Sequence, residues 1–331
     1  MVAQATPRRL ATLMPLAAMP PPAATVVVCT RNRSRALEDA CRAVLGLPAP
    51  FDWELLLVDN ASTDDTLEVA RELAAGDRRV RVAVEPVLGL SAARNLGVRL
   101  ARGGLVVFLD DDAQPQPGWF DAWETAFVDP QVAAAGGPVD PDWAGALPEW
   151  VGPEFLPYLS VWDRGPEPHD LVYNELPRGA NMAFRREVFG RYGDFDHRLG
   201  RRGRSLRSCE EIELCLRLER GGERIRYAPG ARVRHRVETG RLTPAWMLAR
   251  FAAQGFSEAI VDWKHGGPRA LVAGNRRLAA ATAHHAGRAG EGSLFVACHA
   301  AAHRAYRRGG LYAAVAVARW APRGQNLSAS R

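Results

Sequence analysis

The chain has 331 residues and carries 43 Lys+Arg against 37 Asp+Glu, which gives a formal net charge of +6. Its composition, 47% hydrophobic and 24% charged residues, is typical of globular proteins and excludes a disordered or fibrous chain. The sequence contains no uncharged apolar run of about 18 residues or more, which argues against a transmembrane helix. Its five cysteines include no CxxC pair, so they fit neither a disulfide framework nor a zinc site.

The N-terminal residues 1–24 are expected to form a flexible leader. Prolines at positions 15 and 20–22 interrupt its weakly apolar stretch, which makes it a poor hydrophobic segment for a signal peptide. Together with the missing membrane span, this leads us to expect a cytoplasmic protein.

From residue 25 onward, short β-rich runs alternate with helical stretches, which predicts βαβ units and a largely parallel sheet. The predicted elements of this part are a strand at 25–29, a helix from Ser34, a strand at 53–58, a helix with Ser62 or Thr63 as its N-cap, a strand at 80–84, a helix at 91–100 and a strand at 105–109.

The pattern changes after Pro130. A strand at 132–136 is followed by a Pro- and Trp-rich stretch that lacks clear periodicity as far as about residue 177. Long irregular segments in compact domains are usually functional, so we expect a lid or binding loop here. Further predicted elements are a strand at 181–184, a helix at 210–220, strands at 224–227 and 232–237, and helices in the remaining C-terminal residues.

Polar clusters follow three of the predicted strands, where ligands of open α/β sheets bind. They are the TRNR segment at 30–33, Asp59, and the three aspartates at 110–112. No Walker-type loop occurs, and no GxGxxG follows the first strand, so a bound diphosphate would need another counter-charge. A divalent cation held by the aspartates would supply it, although a solvated acidic turn fits the same residues.

Two further groups have candidate chemistry. Glu210 and Glu211 open a predicted helix, whose positive end should lower the pKa of both and keep them ionised. Such a carboxylate can serve as a general base toward a hydroxyl group, although acidic residues are also common in first helical turns. His235 fits either a metal ligand or an ordinary histidine at a sheet edge.

Seven segments together resemble family 2 glycosyltransferases of the GT-A fold over roughly residues 25–265. They are VVVCTRNR (26–33), LLLVDNASTDDT (55–66), GLSAARNLG (89–97), VVFLDDDA (106–113), RGANMAFRREVF (178–189), FDHRLGRRG (195–203) and CEEIELCLRL (209–218). Each is weak alone, but all occur in the expected order.

The resemblance implies an α/β fold of the GT-A type, Rossmann-like, with a mainly parallel central sheet flanked by helices and a C-terminal helical extension. It divides the chain into the leader 1–24, a catalytic domain at 25–265 and a basic helical extension at 266–331. Within the catalytic domain it implies a nucleotide-binding half at 25–130, an acceptor-binding half at 131–240 and a packing helix at 241–265.

The implied activity is that of a hexosyltransferase-type enzyme. It would move a sugar, with inversion, from a nucleotide diphosphate sugar, by family expectation a UDP-sugar, to a hydroxyl or other nucleophile. The acceptor would be a saccharide, a lipid-linked saccharide or a small natural product, and Mn²⁺ or Mg²⁺ would assist departure of the diphosphate. Two alternatives are a phosphohydrolase that uses the strand-end aspartates and a non-catalytic sugar-nucleotide binding protein.

The resemblance also implies roles for individual residues. The implied nucleotide-binding residues are Thr30, Arg31, Asn32, Arg33, Asp59, Arg94, Asp110 and Asp111. The implied metal ligands are Asp112, Asp110 and His235, and the residues expected to border the donor sugar and acceptor are Gly179, Ala180 and Asn181. The family usually has Glu-Asp where this chain has Glu210-Glu211, so Glu211 is the expected base, one methylene longer than aspartate, and Glu210 the second choice.

The C-terminal residues 294–320 combine apolar side chains with several arginines. A basic amphipathic helix of this kind can lie on an anionic membrane at the inner face, form a homodimer, or cover the core with its arginines outward. No recognition motif for nucleic acid occurs, so we expect no nucleic-acid partner.

Overall fold

The computed structural model describes residues 21–289 and 293–320. Most of the predicted leader, residues 1–20, and the end of the basic extension, residues 321–331, lie outside the described residues. Among the described residues, no helix is both long and apolar enough to cross a membrane.

Four parallel strands form one half of a central sheet. They are β1 (Ala24–Thr30), β2 (Trp53–Asp59), β3 (Val80–Val84) and β4 (Leu105–Asp110), in the spatial order β3-β2-β1-β4. The uninterrupted apolar runs of β1, β2 and β4 are explained by burial on both faces, since helices flank a parallel sheet on each side. The flanking helices are α1 (Ser34–Leu45), α2 (Thr66–Gly76) and α3 (Leu90–Leu100).

The predicted N-cap of α2 needs correction. The helix begins at Thr66, with Asp65 in the cap position, instead of after Ser62 or Thr63. Both hydroxyl groups accept hydrogen bonds from Asn32 instead. Ser62 Oγ accepts the backbone N–H of Asn32 at 3.0 Å, and Thr63 Oγ1 accepts the side-chain amide N–H of Asn32 at 3.2 Å. These bonds join the loops that follow β1 and β2.

Three more strands complete the central sheet, and one of them reverses the chain direction. The strands are β6 (Val132–Gly136), β8 (Asn181–Arg185) and β9 (Arg224–Tyr227), and the full order is β3-β2-β1-β4-β8-β6-β9. β8 is antiparallel to both β4 and β6, whereas β6 and β9 are parallel. The expected α/β class and mainly parallel sheet are thus confirmed, and the switch in direction lies in the part of the chain that is predicted to bind the acceptor.

A second, three-stranded sheet places part of the region after Pro130 beside the carboxyl end of β4. It consists of β5 (Ala113–Pro115), β7 (Val139–Trp143) and β10 (Val233–Val237), with β10 in the middle. In its register His235 is opposite Ala113, directly after the three aspartates. β5 and β7, like the short helices α4 (Trp119–Ala126) and α5 (Glu187–Tyr192), were not predicted, because elements this short carry too little periodicity.

The C-terminal helices pack on the catalytic domain. α6 (Glu210–Arg220) precedes β9, and α7 (Pro244–Ala289) is interrupted at Gly267, where φ is 59°. α8 (Leu294–Trp320) packs along α7, and Phe295 meets Phe155 and Phe251 at ring-centroid distances of 5.3 and 6.0 Å. Leu311 is 71% exposed, whereas Tyr306 is buried, so α8 has one face on the core and one apolar patch in solvent. Membrane contact and a homodimer both stay predictions.

A buried carboxylate on α6 anchors α7. Glu213 is fully buried and contacts Lys264 Nζ at 2.8 Å, His265 Nε2 at 3.1 Å and Arg217 Nη2 at 2.9 Å. Burial alone would raise its pKa, but these cationic and hydrogen-bonding partners lower the pKa of Glu213 from 4.5 to about 2. A depressed pKa means that the contribution to stability is present above pH 4.5 and is lost as pH falls toward 2.

We therefore expect Glu213→Gln to lower the free energy of unfolding at pH 7 by about 3 kcal/mol, from 1.36 kcal/mol per unit of pKa shift. The difference in the free energy of unfolding between the variant and wild type should become smaller when urea unfolding is repeated at decreasing pH below about 4.5. Glu72→Gln, at an exposed position of α2, serves as the matched control. A deficit in Glu213→Gln that does not change with pH would contradict the electrostatic explanation.

Candidate active site

A cavity of about 230 Å³ opens at the carboxyl ends of β1 and β4. Its walls include the predicted site residues Thr30, Arg31, Arg33, Asp110, Asp111, Asp112 and His235. The sheet register explains this convergence, since Thr30 pairs with Asp59 across β1 and β2, and Cys29 pairs with Asp110 across β1 and β4. Residues far apart in the chain are therefore neighbours at one edge of the sheet.

Asp111 is held on the β1 side of this cavity. Its carboxylate accepts a hydrogen bond from Thr30 Oγ1 at 2.8 Å and from Arg33 Nη1 at 2.7 Å. Burial and the adjacent negative charge of Asp112 raise the pKa of Asp111 to about 6, against the opposing effect of Arg33. Thr30 and Arg33 thus fix the loop that follows β1 to the aspartate cluster.

Asp112 is the most heavily engaged carboxylate of the cluster. Its Oδ2 accepts bonds from Arg33 at 2.8 Å and Arg241 at 2.9 Å, and its Oδ1 lies 3.2 Å from His235 Nε2. Burial would raise the pKa of Asp112, but the combined effect of these three partners holds it well below its usual range. Asp112 is therefore ionised at any physiological pH.

Asp110, Asp112 and His235 form a group that could hold a divalent cation. One candidate ligand atom from each lies within 4.8 Å of the others. The ring Nδ1 of His235 is buried and has no hydrogen-bond partner in the described part of the chain. Two carboxylates and an imidazole are a donor set that suits Mn²⁺, and Mg²⁺ with more water in its shell, so the residues fit a metal.

Arg94 does not line the cavity but lies behind its wall. It is 2% exposed, and its guanidinium donates to Glu210 Oε1 at 2.6 Å, to Gly179 O at 2.9 Å and to Asp110 Oδ1 at 3.3 Å. A Cβ added at Gly179 would lie 2.8 Å from Arg94 Nη2, so the glycine permits this approach. Arg94 therefore connects the aspartate cluster to the start of α6, and its contact with a nucleotide stays a prediction.

The expected ionisation of Glu210 needs correction. Burial, with the like charge of Glu211, raises the pKa of Glu210 to about 7, although Arg94 and the helix N-terminus oppose the shift. Cys209, with φ of 72°, is the N-cap residue of α6, and both glutamates of the first turn are buried. The carboxylate of Glu210 is therefore held by its hydrogen bond from Arg94.

Glu211 faces a second cavity of about 450 Å³. Its Oε2 is buried and has no hydrogen-bond partner among the described residues. Ser160, with φ of 68°, lines both cavities, so the second opens beside the first. Gly179 also lines the second cavity, and its wall further includes Arg178, residues of the segment 154–160 and side chains of the C-terminal helices α7 and α8.

Several predicted site residues lie outside both cavities. Asn32 exchanges side-chain bonds with Thr63, and Asp59 is buried, accepting the N–H of Ser62 at 3.2 Å. Asn181 is fully buried, and its amide bonds Pro138 O, Ala231 O and Trp119 Nε1, so it holds the strand connections together. Ala180 is buried and accepts the N–H of Asp110 through its carbonyl oxygen. Contact of these four with substrate stays a prediction.

The structure also adds residues that the sequence reasoning missed. Asn60, Arg201 and Arg241 line the first cavity, and Arg178 and Arg250 line the second. Asn60 and Arg201 belong to segments already singled out, VDNAS and LGRRG, so their position was a usable signal. Arg241 and Arg250 follow no motif and reach the site only through the packing of the C-terminal part.

Comparison with known proteins identifies the family. Residues 25–193 match the family model of Glycosyl transferase family 2. The chain belongs to this family. Membership of glycosyltransferase family 2 makes the protein a glycosyltransferase enzyme.

Curated relatives of this family 2 enzyme have different substrates in their names. The glucosyl-dolichyl phosphate glucuronosyltransferase of Haloferax volcanii is 31% identical over 243 residues, which cover 72% of this chain and 77% of the relative. The pre-mycofactocin glycosyltransferase of Mycobacterium tuberculosis is 28% identical over 244 residues, which cover 73% of this chain and 48% of that protein.

Solved structures show that the family 2 enzyme has the GT-A fold. Mannosyltransferase PcManGT from Pyrobaculum calidifontis, in complex with GDP-Man and Mn²⁺, has a TM-score of 0.54 at 22% identity and covers 90% of this chain and 87% of its own. GalNAc-T7 with UDP, GalNAc and Mn²⁺ has a TM-score of 0.50 at 17% identity, and the match covers 72% of this chain and 50% of the GalNAc-T7 chain.

Proposed function

We propose that this glycosyltransferase moves a sugar, with inversion, from a UDP-sugar to a hydroxyl group of a lipid-linked saccharide acceptor. The observation that supports it best is the junction of the two cavities at Ser160, with the aspartate cluster in one and Glu211 in the other. An inverting reaction needs a base on the side of the sugar opposite the leaving diphosphate, and this arrangement provides one.

We propose that the first cavity binds the donor. Arg33, Arg201 and Arg241 line it, and Arg201 Nη1 is buried without a partner in the described chain. Burial, with the like charges of Arg250 and Arg241, lowers the pKa of Arg201 to about 9, which favours an anionic ligand beside it. These arginines would stabilise the negative charge that develops on a departing diphosphate.

Asp110, Asp112 and His235 would hold Mn²⁺ or Mg²⁺ at this site. When bound, the ion supplies Lewis-acid stabilisation of the diphosphate oxygens. Mn²⁺ is our first choice because both structural neighbours described above were solved with it. Arg33 and Arg241, which donate hydrogen bonds to Asp112, also line this cavity and would add positive charge beside the diphosphate.

Glu211 would act as the base in the second cavity. It accepts the proton of the acceptor hydroxyl while that oxygen forms a bond to the anomeric carbon. The bond from the anomeric carbon to the diphosphate oxygen breaks, and its electron pair leaves on the diphosphate. We prefer Glu211 over Glu210 because Glu211 lines the cavity, whereas Glu210 does not line it and accepts a hydrogen bond from Arg94.

The acceptor class rests on two considerations. The relative from Haloferax volcanii is named for a dolichyl phosphate-linked glucose. The wall of the second cavity also includes α7 and α8, whose outer face carries Val272, Leu311 and Val315 exposed beside Arg276 and Arg307. An apolar and basic surface on the same helices that line the acceptor cavity is suited to a substrate that is carried on a lipid.

A thermal-shift screen of nucleoside diphosphates and their sugars, with and without Mn²⁺, tests the donor assignment. A ligand that binds only the folded state raises its apparent stability by mass action, so the acceptor need not be known. We expect a Mn²⁺-dependent shift with UDP and with a UDP-sugar, and UDP-glucuronate belongs in the screen because of the named relative. A shift with GDP alone would replace UDP, and no shift with any nucleotide would refute the donor site.

A further inference from the structure

Two arginines of the acceptor cavity lack, in the described part of the chain, the carboxylate partners that the buried Arg94 has. Arg250 is 9% exposed, donates to Ser208 Oγ at 3.3 Å and lies 5.9 Å from the ring centroid of Tyr158. Neither Arg178 nor Arg250 has an ion-pair partner within 4.0 Å in the described part of the chain. The Nε atoms of both are buried and have no hydrogen-bond partner among the described residues.

The electrostatic environment of these two side chains is unfavourable without a ligand. Burial lowers the pKa of both arginines, and the neighbouring charges of Arg164 and Arg250 lower that of Arg178 further. Glu211 is the first carboxylate that opposes the shift of Arg178, and as the expected base it must stay available to the acceptor. A largely buried guanidinium without an ion-pair partner is unfavourable, so a cavity that retains two such cations is suited to an anion.

Side chains of α7 and α8 complete the same cavity. The rings of His285 and His299 lie 4.7 Å apart, and Phe295 lies 4.6 Å from His299. Burial, with the neighbouring His285, lowers the pKa of His299 to about 4, so this imidazole is neutral at pH 7. Its Nδ1 is buried and has no partner within the described residues, which leaves a hydrogen-bonding atom for a ligand.

We propose that Arg178 and Arg250 form an anion subsite, which holds a phosphate or carboxylate group of the acceptor beside Glu211. Guanidinium groups bind such oxyanions through paired hydrogen bonds in a fixed geometry. An acceptor fixed at its charged group presents its hydroxyl in a defined position to Glu211, which is the orientation that catalysis requires. The subsite rests on the proposed function in that the second cavity is the acceptor cavity.

The test uses calorimetric titration of the full chain with the donor cavity filled by saturating UDP and Mn²⁺, so that added phosphate cannot bind there. The probes are glucose 1-phosphate, glucuronate and neutral methyl glucoside. We expect one of the anionic probes to bind at least about tenfold more tightly than methyl glucoside. Arg178→Gln and Arg250→Gln should each weaken that binding at least about tenfold, and Arg250→Lys should restore part of it.

Arg269→Gln, at an exposed arginine of α7, is the matched control and should bind the probes as wild type does. Preference for glucose 1-phosphate assigns a phosphate to the acceptor, and preference for glucuronate assigns a carboxylate. Equal affinity for the neutral and the anionic probes would overturn the subsite. Unchanged anion binding in a variant that carries both Arg178→Gln and Arg250→Gln would also overturn it.

Failure of the proposed function is recognised separately. If wild type shows no Mn²⁺-dependent binding of any nucleoside diphosphate, the donor assignment fails. The anion titration is then carried out without nucleotide, and the loss of binding in Arg178→Gln and Arg250→Gln still decides whether the subsite exists.

Discussion

Glu211→Gln is expected to reduce acceptor-dependent transfer by about 10²–10⁴-fold, the usual contribution of a general base, and to leave donor binding within about twofold of wild type. Glutamine keeps the size of the side chain but cannot take the proton of the acceptor hydroxyl. Transfer is measured as release of UDP from a UDP-sugar, using an acceptor selected by the anion titration. Donor binding is measured by the Mn²⁺-dependent thermal shift.

Glu154→Gln is the matched control, because Glu154 is an exposed carboxylate on the rim of the same cavity. It should retain transfer close to wild type. If Glu211→Gln also retains transfer, the base lies elsewhere, and Glu210 would be examined next. The raised pKa of Glu210, about 7, and its bond to Arg94 make that outcome the less expected one.

Asp112→Ala is expected to abolish the Mn²⁺-dependent part of donor binding, with a loss of affinity of more than about 100-fold. The substitution removes one carboxylate from the candidate metal group and releases Arg33, Arg241 and His235 at the same time. The measurement is titration of UDP in the presence and absence of Mn²⁺, accompanied by urea unfolding to show that the variant is folded.

Asp142→Ala controls for the loss of a carboxylate that bridges two arginines. Asp142 accepts bonds from Arg234 at 2.9 Å and from Arg236 at 3.1 Å on β7 and β10, outside the donor cavity. It should keep Mn²⁺-dependent nucleotide binding. Retention of that binding by folded Asp112→Ala would exclude Asp112 from the metal site and leave it as an anchor for the two arginines of the cavity.

The difference between the predicted and observed site follows from how each residue reaches it. Thr30 and the aspartates at 110–112 stand directly after apolar strands, so their place at the sheet edge could be predicted. Arg94 also lies in one of the segments that resemble the family. The direction of its side chain, however, depends on Glu210, which lies 116 positions later in the chain. No local pattern specifies whether such a side chain faces a ligand or a buried carboxylate.

The sequence by itself determined the strands β1, β2 and β4, the helix α6 and the family. Their apolar runs and helical spacing can be satisfied in few ways, because a buried parallel strand must be apolar on both faces. Only the tertiary structure decided the antiparallel direction of β8, the short elements of the irregular region, and the two cavities with their arginines. Arg241 meets Asp112 across 129 positions, and Arg250 reaches the acceptor cavity from α7. Such contacts depend on how the elements pack against each other, and the free energy that favours one packing is spread over the whole core.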